Sequence, residues 1–169
     1  FEIEAIRMIN ENLVTAVEEP RNPKGREGMA LAQYVAAQAF SNVGLGLVHG
    51  MAHPMGALFD IPHGVANALL LPTIMEFNKP KCIEKFGVIA RTMGVDTTGM
   101  TPEQAAQAAC DAVRALAIKV GIPQHLTELG IKESDIPALA AQAIADVCTP
   151  GNPRDVTEAD IVELYKKVL

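Results

Sequence analysis

GLGLVHGMAHPMGALFDIPHGVANALLLPTIMEFN, residues 44–78, holds three of the four histidines of the chain, His49, His53 and His63, within fifteen residues. The stretch is apolar yet contains Gly44, Gly46, Gly50, Gly56 and Gly64 with Pro54 and Pro62, so its backbone is permissive where its side chains favour burial. Burying several imidazoles among apolar neighbours is costly unless they are paired or ligated, which makes this cluster the first place to look for chemistry. His49 and His53 are four residues apart, so on a helix both rings lie on one face, one turn apart. His49 and His63 are fourteen apart, and on one unbroken helix they would lie roughly 21 Å from each other, too far to share an ion. They can converge only if the chain turns between them, and Phe59-Asp60-Ile61-Pro62 supplies a turn that leaves His63 near the start of the next helix. The stretch therefore predicts helix, turn, helix. It allows an ion shared by His49 and His53 or by His49 and His63.

Outward from this segment the pattern stays helical. Ile3, Ile6, Ile9, Leu13 and Val17 form one apolar stripe that should end near Glu19, and the prolines of PRNPKGREG predict a surface loop. Met29 to Val43, with Leu31, Tyr34, Val35 and Ala39, reads as a buried central helix. Pro62 to Phe77 is apolar on all sides and should be deeply buried, ending at Asn78-Lys79-Pro80, with Lys81 to Met93 as a separate shorter helix. Thr101-Pro-Glu-Gln is a capping box with proline at the first helical position and opens a helix that stops at Gly121. Asp135 is expected to cap Ile136 to Val147, and Thr157 to open a last helix reaching Tyr165. No segment alternates with a period of two, so the expectation is an all-α bundle of six to eight helices, residues 1–169 forming one domain.

Composition agrees and excludes other classes. Aromatic residues make up only 4% and Trp is absent, so the core must be built from Ala, Leu, Ile, Val and Met, volumes that suit helix-on-helix packing better than a β-sandwich. The formal net charge of −6, with basic residues scattered, excludes nucleic acid as an expected partner. Val65 to Met75 is interrupted by Asn67, Pro72 and Thr73 and falls short of the ~20 apolar residues of a membrane span. Three cysteines, an odd number without a CxxC pair, provide neither a disulfide framework nor a zinc ribbon and suit a reducing, cytoplasmic setting.

Two histidines do not complete a site, because zinc or iron normally takes three or four protein ligands. His125, in GIPQHLTELG, reads as a solvated loop residue, and Asp60 as a cap of the following helix. The chain opens inside a helical pattern at Phe1, and the expectation is that it is a fragment whose missing ligands lie upstream.

GLGLVHGMAHPMGALFDIPHGVANALLLPTIMEFN resembles the histidine-rich motif of the iron-containing (group III) alcohol dehydrogenases, and the tail DVCTPGNPRDVTEADIVELYKKVL is similar to the end of the lactaldehyde reductase branch. The resemblance runs over essentially the whole chain, as the C-terminal part of a dehydroquinate-synthase-like, all-helical metal domain. It implies that His49 and His63 ligate Fe2+ or Zn2+, and that His53 lies beside substrate and nicotinamide in a proton-relay or positioning role. It also implies that Phe40 and Cys148 line the substrate pocket. A physical argument points the same way for the histidines: Pro54 cannot donate to the Gly50 carbonyl, so a kink near His53 would turn that ring off the His49 face. Leu47, Met51 and Met55 are candidates for an aliphatic lining that excludes water.

The resemblance further implies an NAD(P)-linked oxidoreductase acting on a small alcohol or aldehyde, and a homo-oligomer. The family's other two ligands come from an Asp-x-x-x-His pair, and no Asp here has His four residues later. Its glycine-rich nucleotide-binding segment is absent as well, so this piece alone is expected to be inactive. Two rivals differ in class: a metal-dependent lyase of the dehydroquinate synthase type, and a non-enzymatic helical oligomerisation module with structural histidines.

Overall fold

The computed structural model describes all residues, 1–169, and contains helices but no strand, as composition and periodicity predict. Seven α-helices follow in order: α1 Glu2–Glu18, α2 Pro23–Val43, α3 Leu47–Phe59, α4 His63–Thr92, α5 Pro102–Lys119, α6 Ile136–Ala145 and α7 Glu158–Lys167. Short 3-10 turns at Leu126–Leu129, Glu133–Asp135 and Thr149–Gly151 connect the later ones. The chain divides into two compact units, residues 1–44 with 82–121, and residues 45–81 with 122–169.

In the first unit α1 and α2 pack through small residues. Ala5, Ala16 and Ala32 are buried, and a Cβ at Gly25 would stand 3.0 Å from the Ala16 backbone nitrogen, so the two helices approach where side chains are smallest. This reverses the expected facing: Leu31 and Tyr34 are 53% and 58% exposed, and Ile3 and Val17 also face outward. α2 is therefore not a buried central helix. It also begins six residues earlier than the sequence suggests, because Asn22 caps it by accepting from the Lys24 and Gly25 amides and Pro23 takes the first helical position. The expected proline loop shrinks to a turn at Glu19–Asn22. Thr101 caps α5 with the expected reciprocal bonds to Gln104, and Ala105, Ala106, Ala109 and Cys110 line its buried face.

The second unit has the larger aliphatic core, built on Leu47, Met51, Met55, Leu70, Ile74, Leu139, Ile161 and Tyr165. Tyr165 is fully buried and its hydroxyl donates to the Met51 carbonyl at 2.6 Å, tying α7 to α3. α4 departs from expectation at its middle. Two helical runs meet there, as expected, but the break between them falls at Cys82 (φ −128°, ψ 18°), just beyond Asn78-Lys79-Pro80, and Pro72 and Pro80 both lie within the first run. Leu71 stays exposed, so the helix is buried on most of its surface rather than all round.

Asp135 does not cap α6 with its side chain. Its carboxylate accepts from the Lys132 amide at 2.8 Å and closes the preceding 3-10 turn. Thr157 does cap α7, in a box with Asp160.

Candidate active site

The site grows out of α3 and the turn that follows it, all within the second unit. Along α3, Leu47, Met51 and Met55 recur every four residues and are fully buried in the core. His49 and His53 lie two residues on from Leu47 and Met51, about 200° around the helix, and so project from the opposite side. The three aliphatic residues hold the helix down and do not line the site. α3 runs through Pro54 without a break. The expected kink is absent, and His49 and His53 remain one turn apart.

Asp60 then ends α3 in the left-handed conformation (φ 55°, ψ 31°), its amide donating to the Gly56 carbonyl. It closes α3 instead of capping α4. Three residues later His63 opens α4, with Pro62 supplying the carbonyl to which the Val65 and Ala66 amides donate. This left-handed corner turns the chain back, and the predicted convergence follows. Ring centroids of His49 and His63 are 5.3 Å apart, those of His53 and His63 5.7 Å, and those of His49 and His53 5.9 Å.

These separations discriminate between ligand sets. An imidazole bound to zinc or iron through one nitrogen holds its centroid about 3.2 Å from the ion, so two imidazoles at a tetrahedral angle have centroids about 5.3 Å apart. The His49–His63 pair stands at that spacing. All three rings on one ion would require angles adding to about a full circle, with the ion flat among them, a poor match to tetrahedral preference. The donor chemistry fits, since neutral imidazole suits both zinc and iron.

His53 has a different partner. Its Nδ1 lies 2.8 Å from Oδ2 of Asp146, just past the C-terminal end of α6. The other carboxylate oxygen accepts the Cys148 amide at 2.8 Å, which fixes the Asp146 rotamer. Burial works to raise the Asp146 carboxyl, but the Cys148 amide and His53 outweigh it and hold the group below the usual carboxylate range. An ionised carboxylate can only accept, so His53 donates through Nδ1–H and a neutral ring keeps its lone pair on Nε2. The Cys148 thiol is pushed up by burial and by the Asp146 charge, and stays protonated at neutral pH. Burial, with the His63 and His53 charges, depresses His49 and keeps it neutral and able to ligate, against a smaller opposing pull from Asp146.

Asn67, one turn into α4, donates to the His63 carbonyl at 2.9 Å, and its amide nitrogen stands 3.2 Å from His63 Nε2. Its Oδ1 is buried without a partner. Of the remaining sequence candidates, Cys148 is beside His53 and Asp146. Phe40 lies on α2 in the first unit, 45% exposed. His125 is an exposed loop residue, as expected.

Sequence reasoning missed Asp146. The signal was there: an acidic residue at the C-terminal end of a helix opposes the helix dipole and needs a cationic or donor partner to be retained.

Comparison with known proteins bears on the chain as a whole. The profile of the C-terminal part of the Fe-containing alcohol dehydrogenase family matches residues 1–169. Lactaldehyde reductase of Escherichia coli (strain K12) is 60% identical over 139 residues, covering 82% of this chain and 36% of that protein. 1,3-Propanediol dehydrogenase of Citrobacter freundii is 46% identical over 165 residues, covering 98% and 43%. Among solved structures, 1,3-propanediol oxidoreductase superposes with a TM-score of 0.97 at 44% identity, over 99% of this chain and 44% of that one. An alcohol dehydrogenase from Oenococcus oeni gives 0.95 at 38% identity, over 99% and 44%. The chain thus spans less than half the length of these relatives, and over its own length it matches the family model from end to end and superposes on their helices: it belongs to the iron-containing alcohol dehydrogenase family, as the helical C-terminal part.

Proposed function

We propose that this chain forms the metal-binding and substrate-side part of an NAD(P)-dependent alcohol dehydrogenase that interconverts a small alcohol or diol and its aldehyde. The carrying observation is the meeting of three imidazoles from two helices, two of them spaced for one tetrahedral ion and the third tied to a carboxylate. Relatives named for lactaldehyde, 1,3-propanediol and, with NAD, methanol favour a short substrate and a nicotinamide cofactor.

His49 and His63 would hold the ion, Fe2+ in this reading, with Zn2+ as the alternative that metal analysis of the protein decides. When bound, such an ion supplies Lewis acidity to the substrate oxygen, and the nicotinamide takes or gives the hydride. Burial supports this by keeping His49 unprotonated, so that no proton competes for its lone pair.

His53 would handle the proton. With Nδ1–H donated to Asp146, Nε2 can accept a proton from a substrate hydroxyl or through a water, and in the reverse direction return it. Asp146 stabilises the imidazolium that results and fixes the ring plane.

Substitution in the full-length enzyme separates the roles. His49→Ala and His63→Ala should purify with little metal, since each removes a ligand. His53→Ala should keep nearly its full complement while hydride transfer slows by about 100-fold or more, the usual worth of a positioned base. A metal-free His53→Ala beside a metal-replete His63→Ala would overturn the assignment in favour of the simple four-residue pair.

A further inference from the structure

His53, Asp146 and Cys148 bring a nitrogen, a carboxylate oxygen and a sulfur within 4.8 Å of one another, all three half-buried and reachable from solvent. Cys82 and Cys110 are buried, so Cys148 is the one partly open thiol of the chain. Asp146 organises the group: one oxygen meets His53 Nδ1 at 2.8 Å and the other holds the Cys148 amide at 2.8 Å, so both neighbours are aligned on the same carboxylate. None of these three donors belongs to the His49–His63 pair.

We infer that His53, Asp146 and Cys148 form a second cation site, selective for a thiophilic divalent ion such as Zn2+ or Cd2+, and that filling it disables His53. A tetrahedral ion bound by nitrogen, oxygen and sulfur sets its ligand atoms about 3.4–3.6 Å apart. From the present positions the nitrogen and oxygen must separate by about 0.6 Å and the sulfur move in by at most about 1.2 Å, changes that side-chain torsions supply. The mixed donor set selects the ion. Hard cations such as Mg2+ and Ca2+ take oxygen ligands, whereas thiolate with imidazole suits Zn2+ and its heavier analogue. Binding releases one proton to solvent, from the Cys148 thiol, and shifts the single proton of the neutral His53 ring from Nδ1 to Nε2. This tautomer is the opposite of the one Asp146 enforces in the empty site, and it cannot accept a proton from a hydroxyl. The inhibitory consequence rests on the proton-accepting role proposed for His53; the binding itself does not.

The test uses Co2+ as a spectroscopic stand-in for Zn2+, added to the purified full-length protein carrying its resident ion. A thiolate-to-cobalt charge-transfer band in the near ultraviolet should grow to saturation at one equivalent and be displaced by Cd2+. It should be absent in Cys148→Ser and remain in His49→Ala. In His53→Ala the Co2+ affinity should fall by more than about 10-fold, a loss that even an outer-shell partner's removal causes. No band, a band that survives Cys148→Ser, or a band lost in His49→Ala would each overturn the site, the last by placing the thiolate on the ion of the first pair. Zn2+ should slow hydride transfer in step with occupancy. Full occupancy with undiminished turnover would leave the cation site standing and refute both the inhibition and the proton-accepting role of His53.

Discussion

Gly50 sits in the interior of α3 one residue after His49, where helix propensity and packing disagree about alanine. Propensity favours Gly50→Ala by about 0.8–1 kcal/mol. Packing opposes it, because the new Cβ would fall well inside 3.0 Å of the Thr149 hydroxyl, with Thr149 Cβ at 3.3 Å and the Ala143 carbonyl at 3.5 Å leaving no retreat. Thr149 is buried and its hydroxyl donates to Ala143 at 2.6 Å, so moving it aside breaks a buried bond worth about 1–3 kcal/mol. Overpacking adds about 1–3 kcal/mol. The net is a destabilisation of about 3 kcal/mol, which for a chain of this length lowers the melting temperature by roughly 6–12 °C. Thermal unfolding followed by circular dichroism reads this directly. In a Thr149→Ala background the obstructing hydroxyl is gone, and Gly50→Ala should cost less than about 1 kcal/mol, a coupling of about 2–3 kcal/mol between the positions. A Gly50→Ala protein that melts at or above the parent temperature, or a double variant that shows simple additivity, refutes the reasoning.

Tyr165→Phe deletes the hydroxyl that reaches the Met51 carbonyl and nothing else, so urea unfolding should show a loss of about 1 kcal/mol; no loss would mean that the bond is silent. Thr101→Ala removes the hydroxyl half of the α5 capping box, leaving the Thr101 amide's bond to Gln104, and should cost about 1 kcal/mol with metal content unchanged, since it bears no donor of the site; metal loss would contradict this. For His49, depression below its ordinary value of 6.5 means that the unfolded chain takes up a proton first as pH falls through that value, so stability declines below it. The metal-free protein should therefore lose urea midpoint between about pH 7 and about pH 5.5 more steeply than His49→Gln, and parallel slopes would count against a depressed His49. Asp146→Asn can present an N–H to His53 Nδ1 and so favour the wrong tautomer; in the full-length enzyme hydride transfer should fall by about 100-fold or more with metal retained, and full activity would remove Asp146 from the mechanism.

What the sequence discloses here is local. The capping boxes at Thr101 and Thr157 declare helix starts because the groups that satisfy the first amides are three residues away. The turn at Phe59–Pro62 and the resulting approach of His49 and His63 follow from spacing and proline for the same reason. Facing is harder. Ile3, Leu31 and Tyr34 form apolar stripes of the kind that usually mark a core, yet α1 and α2 meet through alanine and glycine, and periodicity alone does not say which of two helix faces is the closer fit. Asp146 eluded the reading because its partner is 93 residues distant, and Asp135 misled it because a cap position does not guarantee a capping bond.

That distance divides the site by the order in which it can assemble. The His49–His63 span closes through fourteen residues inside one helical hairpin, while the His53–Asp146 bond must close across 93. By loop-closure entropy the second costs about 1.7 kcal/mol more than the first. During refolding the hairpin can therefore gather its imidazoles early, on the timescale of local helix formation, before the carboxylate that holds His53 arrives. In that interval His53 is free to rotate toward whatever ion the hairpin has caught. The pairing with Asp146 is thus the late step that sorts three equivalent histidines into two that stay and one that is called away.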